Sequence, residues 1–319
     1  MTGVQEKCMV DARMPRKCRC VSPHWKLLVS VALALVLVPA PAAWATQRVA
    51  LLDSANTKEY FSKHYPVCSP ESDTPSYYLG AEEYQRYFRG WEYVLQQMGN
   101  VPYEIIHDED VTRSGLQDFT VLILSNTASL SNDQTRAIAL WVRRGGRLLA
   151  TFGAGYKSTD LDVREADLIK LQEGGVGGLH ELWHDPLSGS LTTSHLAPGV
   201  DVRIDRYEGP TACLADLTDN LLPYGAQGNL LIQRPDPQNS VLASLVIDNP
   251  SWTRRAPAII ATKATAGFVV YFAFAPEYLV SKEYDLPKSE SCPDGQNWAA
   301  RSQEAMRLMT CTLQFLLSN

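Results

Sequence analysis

The chain has 319 residues, is 45% hydrophobic and 20% charged, and carries a formal net charge of −6. That is enough apolar material for a sizeable core, and 20 glycines and 19 prolines are too few for a fibrous or low-complexity chain. An acidic balance without a long basic run makes nucleic acid and anionic membranes poor partners.

The first expected element is a leader. Arg13, Arg16, Lys17, Arg19 and Lys26 precede an apolar run, Leu27 to Val38, followed by Pro39, Pro41 and Ala43-Trp44-Ala45. A basic region, a short apolar core and a small-x-small site predict a secretory signal peptide cleaved after Ala45. The apolar run is too short for an ordinary transmembrane span; an uncleaved N-terminal anchor is the alternative. The expected organisation is a signal peptide over 1–45 and a single α/β domain over 46–319. The mature protein is then periplasmic or extracellular and free of the membrane. Of the seven cysteines, Cys68, Cys213, Cys292 and Cys311 stay with the domain. An even number in an exported chain predicts at least one disulfide; buried free thiols are the alternative.

Val49 to Leu52 reads as a first strand ending at Asp53. Residues 54–79 hold Pro66, Pro70 and Pro75 among serines and tyrosines and read as a long loop. From Ala81 to Met98, Tyr84, Tyr87, Phe88, Trp91, Val94, Leu95 and Met98 recur at steps of three and four, which predicts a helix. Gly99-Asn100 should stop it. Tyr103 to Ile106 and Phe119 to Leu124 are further strands, the latter apolar enough to be buried on both faces. Asn132 to Arg144 is helical, capped by Ser131, and Arg147 to Phe152 is a fourth strand. A helix is expected near Asp162 to Leu171. Strands follow over Val202–Ile204, Leu230–Gln233, Val241–Val246, Ala258–Thr262 and Gly267–Phe274, and Ala299 to Leu317 closes the chain as an amphipathic helix. The alternation of strand and helix in the first half predicts a three-layer, doubly wound, mostly parallel sheet, with additional C-terminal strands.

Several stretches bear a family likeness: Val121-Leu122-Ile123-Leu124-Ser125-Asn126-Thr127, then Leu130-Ser131-Asn132-Asp133-Gln134, then Gly145-Gly146-Arg147-Leu148-Leu149-Ala150-Thr151. Ser194-His195-Leu196-Ala197-Pro198-Gly199-Val200 and Gly267-Phe268-Val269-Val270-Tyr271-Phe272 continue it. Together they resemble the class I glutamine amidotransferase-like superfamily, nearest its beta-galactosidase trimerisation-type domain. The resemblance implies a flavodoxin-like fold over most of 48–318, and it speaks for fold more than for activity.

In true amidotransferases a Gly-x-Cys-x-Gly turn exposes a thiolate at a helix N-terminus, and a later His-Pro-Glu supplies the base. Mapped by that resemblance, Thr151-Phe152-Gly153-Ala154-Gly155 puts Gly153 where the nucleophile belongs. Ala275-Pro276-Glu277 puts Ala275 where the histidine belongs. Glycine offers no nucleophile and alanine no base, so the resemblance implies no catalytic residue and no cofactor. It leaves a degenerate site of Gly153, Ala154, Gly155 and Glu277. With both reactive side chains gone, that site is expected to offer backbone donors and one carboxylate to a small polar or sugar ligand. A charged Glu277 should turn anions away. A binding or assembly module follows, with a sugar ligand or a protein partner.

The rival reading is a zinc-dependent hydrolase. His180-Glu181-Leu182-Trp183-His184 fits His-Glu-x-x-His, in which two imidazoles four apart share a helix face and hold Zn²⁺ while the glutamate activates water. Gly174-Gly175-Val176-Gly177-Gly178 and Pro186 confine that helix to about two turns. The pattern assigns no third ligand, for which His195 and Glu208 are candidates. A serine or another carboxylate in the same crevice is a further alternative. Asp108-Glu109-Asp110 could face the open end of the sheet or form a solvated turn.

Overall fold

The computed structural model describes residues 47–64, 80–155, 157–159, 193–194, 201–207, 222–223, 230–231, 240–249, 252–281 and 302–318. All fall within one compact unit, Thr46–Asn319. In chain order they form β1 (Val49–Leu52), α1 (Ala55–His64), α2 (Ala81–Met98), β2 (Tyr103–Ile106), β3 (Val121–Leu124) and β4 (Ser129–Leu130). Next come α3 (Asn132–Arg143), β5 (Arg147–Thr151), β6 (Lys157–Ser158), β7 (Thr193–Ser194), β8 (Asp201–Tyr207), β9 (Leu222–Pro223) and β10 (Leu230–Leu231). β11 (Ser240–Asn249), β12 (Trp252–Ala264), β13 (Gly267–Phe272), α4 (Pro276–Ser281) and α5 (Ser302–Ser318) complete the order.

Nine strands make one sheet in the order β2-β1-β3-β5-β13-β12-β11-β8-β9. The first five are parallel, with Val49 opposite Tyr103 and Val121, Leu124 opposite Ala150, and Thr151 opposite Phe272. The last four continue antiparallel from β13. Counted along the chain, the parallel strands run 2-1-3-4-5, the flavodoxin-like order. The predicted α/β class and the additional C-terminal strands are therefore present. β1 and β3 are wholly buried, as strands covered by helices on both faces must be.

Local sequence explains most boundaries. Ser131 Oγ accepts from the Gln134 amide at 3.1 Å and Gln134 Oε1 accepts from the Ser131 amide at 2.7 Å, a reciprocal cap on α3. Gly99, at φ 61°, ends α2 in the left-handed conformation. Pro276 opens α4, where its missing N–H costs nothing. Arg147 donates to the Leu316 and Leu317 carbonyls at 2.6 and 2.9 Å. A cation thus closes the negative end of α5 from the start of β5.

One prediction needs correcting. Ala55–His64, read from sequence as the start of a loop, is a helix. Its composition is polar, with Tyr60 and Phe61 as its aromatic residues, so no apolar period announces it. Tertiary contacts hold it instead: Phe61 is buried beside Tyr84 and Tyr87 of α2. The Thr57 amide donates to Ser54 Oγ at 3.0 Å, and the Asn56 amide donates to Asp108 Oδ2 at 2.9 Å. α2 lies directly on α4, because a side chain at Gly90 would meet the Glu277 carbonyl oxygen at 2.2 Å. The helix expected near Asp162–Leu171 lies outside the described residues.

Candidate functional site

The candidate site sits at the carboxyl ends of β3 and β5, where ligands approach an open α/β sheet. β3 runs into Ser125-Asn126-Thr127 and β5 into Thr151-Phe152-Gly153-Ala154-Gly155; all eight residues except Phe152 are buried. Asn126 takes φ 41°, a conformation its short polar side chain tolerates. Its amide donates to Thr151 Oγ1 at 2.8 Å, and its Oδ1 accepts from the Gly153 amide at 3.1 Å. Asn126 thus stitches the two turns together and fills the space beside Gly153. A Cβ on Gly153 would stand 2.9 Å from Asn126 Oδ1.

The backbone kink after β5 falls on Phe152, at φ 45°, one residue before the position the motif marks. For a bulky side chain this is a true outlier, costing about 1–3 kcal/mol. The Phe152 amide donates to the Phe272 carbonyl at 2.9 Å, and the Tyr271 hydroxyl donates to the Phe152 carbonyl. Neither Phe152 nor Gly153 offers a nucleophile. The remaining donors are also consumed: the Ala154 amide bonds the Thr151 carbonyl at 3.1 Å and the Gly155 amide bonds the Thr127 carbonyl at 2.9 Å. With the Phe152 and Gly153 bonds, every amide from 152 to 155 has an internal acceptor. The expectation from sequence, that these donors face a ligand, is corrected accordingly.

Glu277 does come to this turn. Its Oε1 accepts from the Thr151 hydroxyl and from Ser125 Oγ, the latter at 3.2 Å, although Thr151 is 126 residues away. The carboxyl is fully buried. Burial pushes its pKa up to about 8, against the opposing pull of the Thr151 hydroxyl, its own backbone amide, Ser125 and Trp91. The Trp91 indole lies near enough to favour the charged form. Trp91 Nε1 and Glu277 Oε2 are both buried without a partner at hydrogen-bonding geometry. Burial thus works against the charged, anion-repelling Glu277 expected from sequence. In its protonated form the group is also no general base for Ser125.

Ala275 is sealed in a small cluster of its own. It packs with Phe61, Tyr84, Tyr87 and Ala128, with Tyr60 and Phe152 at the margin. The ring centroid of Phe61 lies 6.3 Å from those of both Tyr84 and Tyr87. The Tyr84 hydroxyl accepts from the Ser54 amide at 3.0 Å and donates to the Leu52 carbonyl at 2.9 Å, and burial raises its pKa. The aromatic residues of α2 are core, as their spacing predicts. α1, the helix that sequence missed, contributes Phe61 to the cluster that buries Ala275.

Where β1 and β3 diverge, the polar residues are again structural. Lys58 Nζ pairs with the Asp53 carboxylate at 2.8 Å, and Gln85 Nε2 donates to Asp53 Oδ1 at 3.3 Å. Asp108 caps α1 through Asn56 and accepts from Gln134 Nε2 at 3.2 Å. Asp110 accepts from the His107 amide at 2.9 Å, while Glu109 is exposed. The Asp108–Asp110 cluster is thus a capped turn. The contacts from Asn56 and Gln134 to Asp108 and from Gln85 to Asp53 escaped the sequence reading because each joins residues distant along the chain.

His180, Glu181 and His184, with His195 and Glu208, lie outside the described residues. So do Cys68, Cys213 and Cys292. Cys311, on α5, is disulfide-bonded. Among the described residues no three His, Cys, Asp or Glu side chains gather as a metal site.

The fold class defined by this sheet recurs in known structures. The chain is similar to a beta-galactosidase from Bacillus circulans sp. alkalophilus, at 16% identity and TM-score 0.53, over 86% of this chain and 31% of that one. It is also similar to a beta-galactosidase from Halorubrum lacusprofundi, at 12% identity and TM-score 0.50, over 85% of this chain and 30% of that one. A putative ThuA-like protein from Bacteroides uniformis aligns at 12% identity and TM-score 0.46, over 86% and 93% of the two chains. The chain thus spans about a third of the length of those beta-galactosidases, and at these identities the likeness is one of fold. No family model matches the sequence, and no curated protein matches it.

Proposed function

We propose that residues 46–319 form an exported, non-catalytic amidotransferase-like module that acts by binding or assembly, linked to carbohydrate metabolism. The observation behind this reading is the internal use of the four turn amides and of Glu277 Oε1. Gly153 is hydrogen-bonded to Asn126, Ala275 is buried in one cluster with Phe61, and Glu277 is buried with its pKa pushed up by that burial. Acyl transfer needs an exposed nucleophile, a base and free oxyanion donors, and none of the three is supplied by these residues. The link to carbohydrate rests on the fold shared with parts of beta-galactosidases. Export draws support from the disulfide at Cys311, since such bonds persist in oxidising compartments.

The test pairs two measurements on purified protein. Ammonia release from glutamine and hydrolysis of nitrophenyl galactosides are expected to be undetectable. Turnover of either substrate overturns the non-catalytic reading. Mass spectrometry of exported material is expected to find Thr46 at the N-terminus. An intact leader retained with membranes would mean an anchored protein.

A further inference from the structure

The amino-terminal edge of the sheet, opposite the sealed elbow, holds an open cleft of about 430 Å³ where α3 ends and β3 and β5 begin. Arg113, Gln117, Thr120 and Arg144 converge on it, over a floor that includes Phe119 and Trp141. Among the described residues no carboxylate lines it, in a chain whose net charge is −6. Among the described residues neither guanidinium has a hydrogen-bond or ion-pair partner, although Arg48, Lys58, Lys63 and Arg136 all have carboxylate partners.

The α3 carbonyls, whose partial negative charge would oppose an anion, are occupied by the turn that follows. The Gly145 amide bonds the Val142 carbonyl at 2.9 Å, and the Arg144 and Gly146 amides both bond the Trp141 carbonyl at 3.1 Å. Of the residues lining the cleft the two arginines carry the charge, and a third, Arg48, lies 5.0 Å from the Phe119 ring centroid and pairs with Glu104. A guanidinium fork matches a carboxylate. Gln117 and Thr120 can bond hydroxyls, and the apolar floor suits the C–H face of a ring. A cleft of this volume falls in the range of organic ligands and is larger than a bare inorganic ion fills.

We infer that this cleft is a binding site for a small acidic sugar, a carboxylate on a hydroxylated ring, held by Arg113 and Arg144. The inference is independent of the reading of the opposite edge. Isothermal titration of the full domain at low salt tests it, with D-glucuronate, D-glucose and inorganic phosphate as probes. Glucuronate is expected to bind in the millimolar range or tighter, at least about tenfold better than glucose. Arg113→Gln and Arg144→Gln are each expected to weaken glucuronate about tenfold, and the double variant to abolish binding. Both side chains are exposed, so the unfolding midpoint should not move and the loss is not one of folding. No glucuronate binding, unchanged binding to the double variant, or phosphate binding as tightly as glucuronate would each overturn the inference. The last outcome would mean a simple anion patch.

Discussion

The two ends of the parallel sheet are built on opposite terms. At the carboxyl end, where this fold ordinarily receives ligands, most polar groups are turned on one another, while Trp91 Nε1, Thr127 Oγ1 and Glu277 Oε2 are buried without a partner. Asn126 holds Gly153, Thr151 and Ser125 hold Glu277, and α1 lies over Ala275. At the amino end Arg113 and Arg144 stand exposed around an open cleft. A buried polar group must find an internal partner or forfeit stability, whereas an exposed arginine can wait for an external one. Interior pairing marks structure here, and exposed, unpaired charge over an apolar floor marks a candidate for recognition.

The largest test of that contrast is the proton on Glu277. Its folded pKa, about 8, stands above the ordinary 4.5, so the folded state holds an extra proton between those values. Stability is then full below about pH 4.5, declines as the pH rises through that window, and levels off above about pH 8. Each pH unit within the window costs about 1.4 kcal/mol, so the total decline is on the order of a few kcal/mol. Urea unfolding across that window should show it, and Glu277→Gln should flatten the curve. A parent protein equally stable at about pH 5 and about pH 8.5 would mean that the carboxyl is not sealed.

Phe61→Ala comes next. Removing a buried ring from the cluster over Ala275 is expected to cost about 3 kcal/mol and to expose amides of α1 to hydrogen exchange. A loss under about 1 kcal/mol would show that α1 is a loose cover and that the elbow is accessible.

Gly153→Cys should cost about 1 kcal/mol, because the new Cβ presses on Asn126 Oδ1. It should create no glutaminase, since Ala275 provides no base. Glutamine hydrolysis by this variant would break the contrast at its centre. The smallest effect is expected at the other end. Arg113→Gln and Arg144→Gln should each change stability by less than about 0.5 kcal/mol, measured by the same urea titration. A larger loss would show that these arginines, too, serve the fold.

Much of this protein was determined by sequence alone. The apolar runs of β1, β3 and β5 specify strands buried on both faces, because a continuous apolar segment can be satisfied only between two layers of helix. The spacing of Tyr84, Tyr87 and Trp91 and the Ser131–Gln134 pair settle α2 and α3 locally. The lack of a cysteine at 153 and of a histidine at 275 is visible without any coordinates.

What remained was decided by tertiary structure, since it depends on partners far apart in the chain. α1 exists because Phe61 finds Tyr84, Tyr87 and Ala275, and no window of its own polar sequence contains that energy. The charge of Glu277 depends on burial beside Thr151 and Trp91, and a motif records the residue without its solvent. The amides of 152, 153 and 155 read as free donors until Phe272 of β13 and Asn126 and Thr127 after β3 supply their acceptors, while that of Ala154 bonds back to Thr151. The cleft at the opposite edge draws on segments before β3 and after α3. Their juxtaposition arises only when β3 and β5 pair in register.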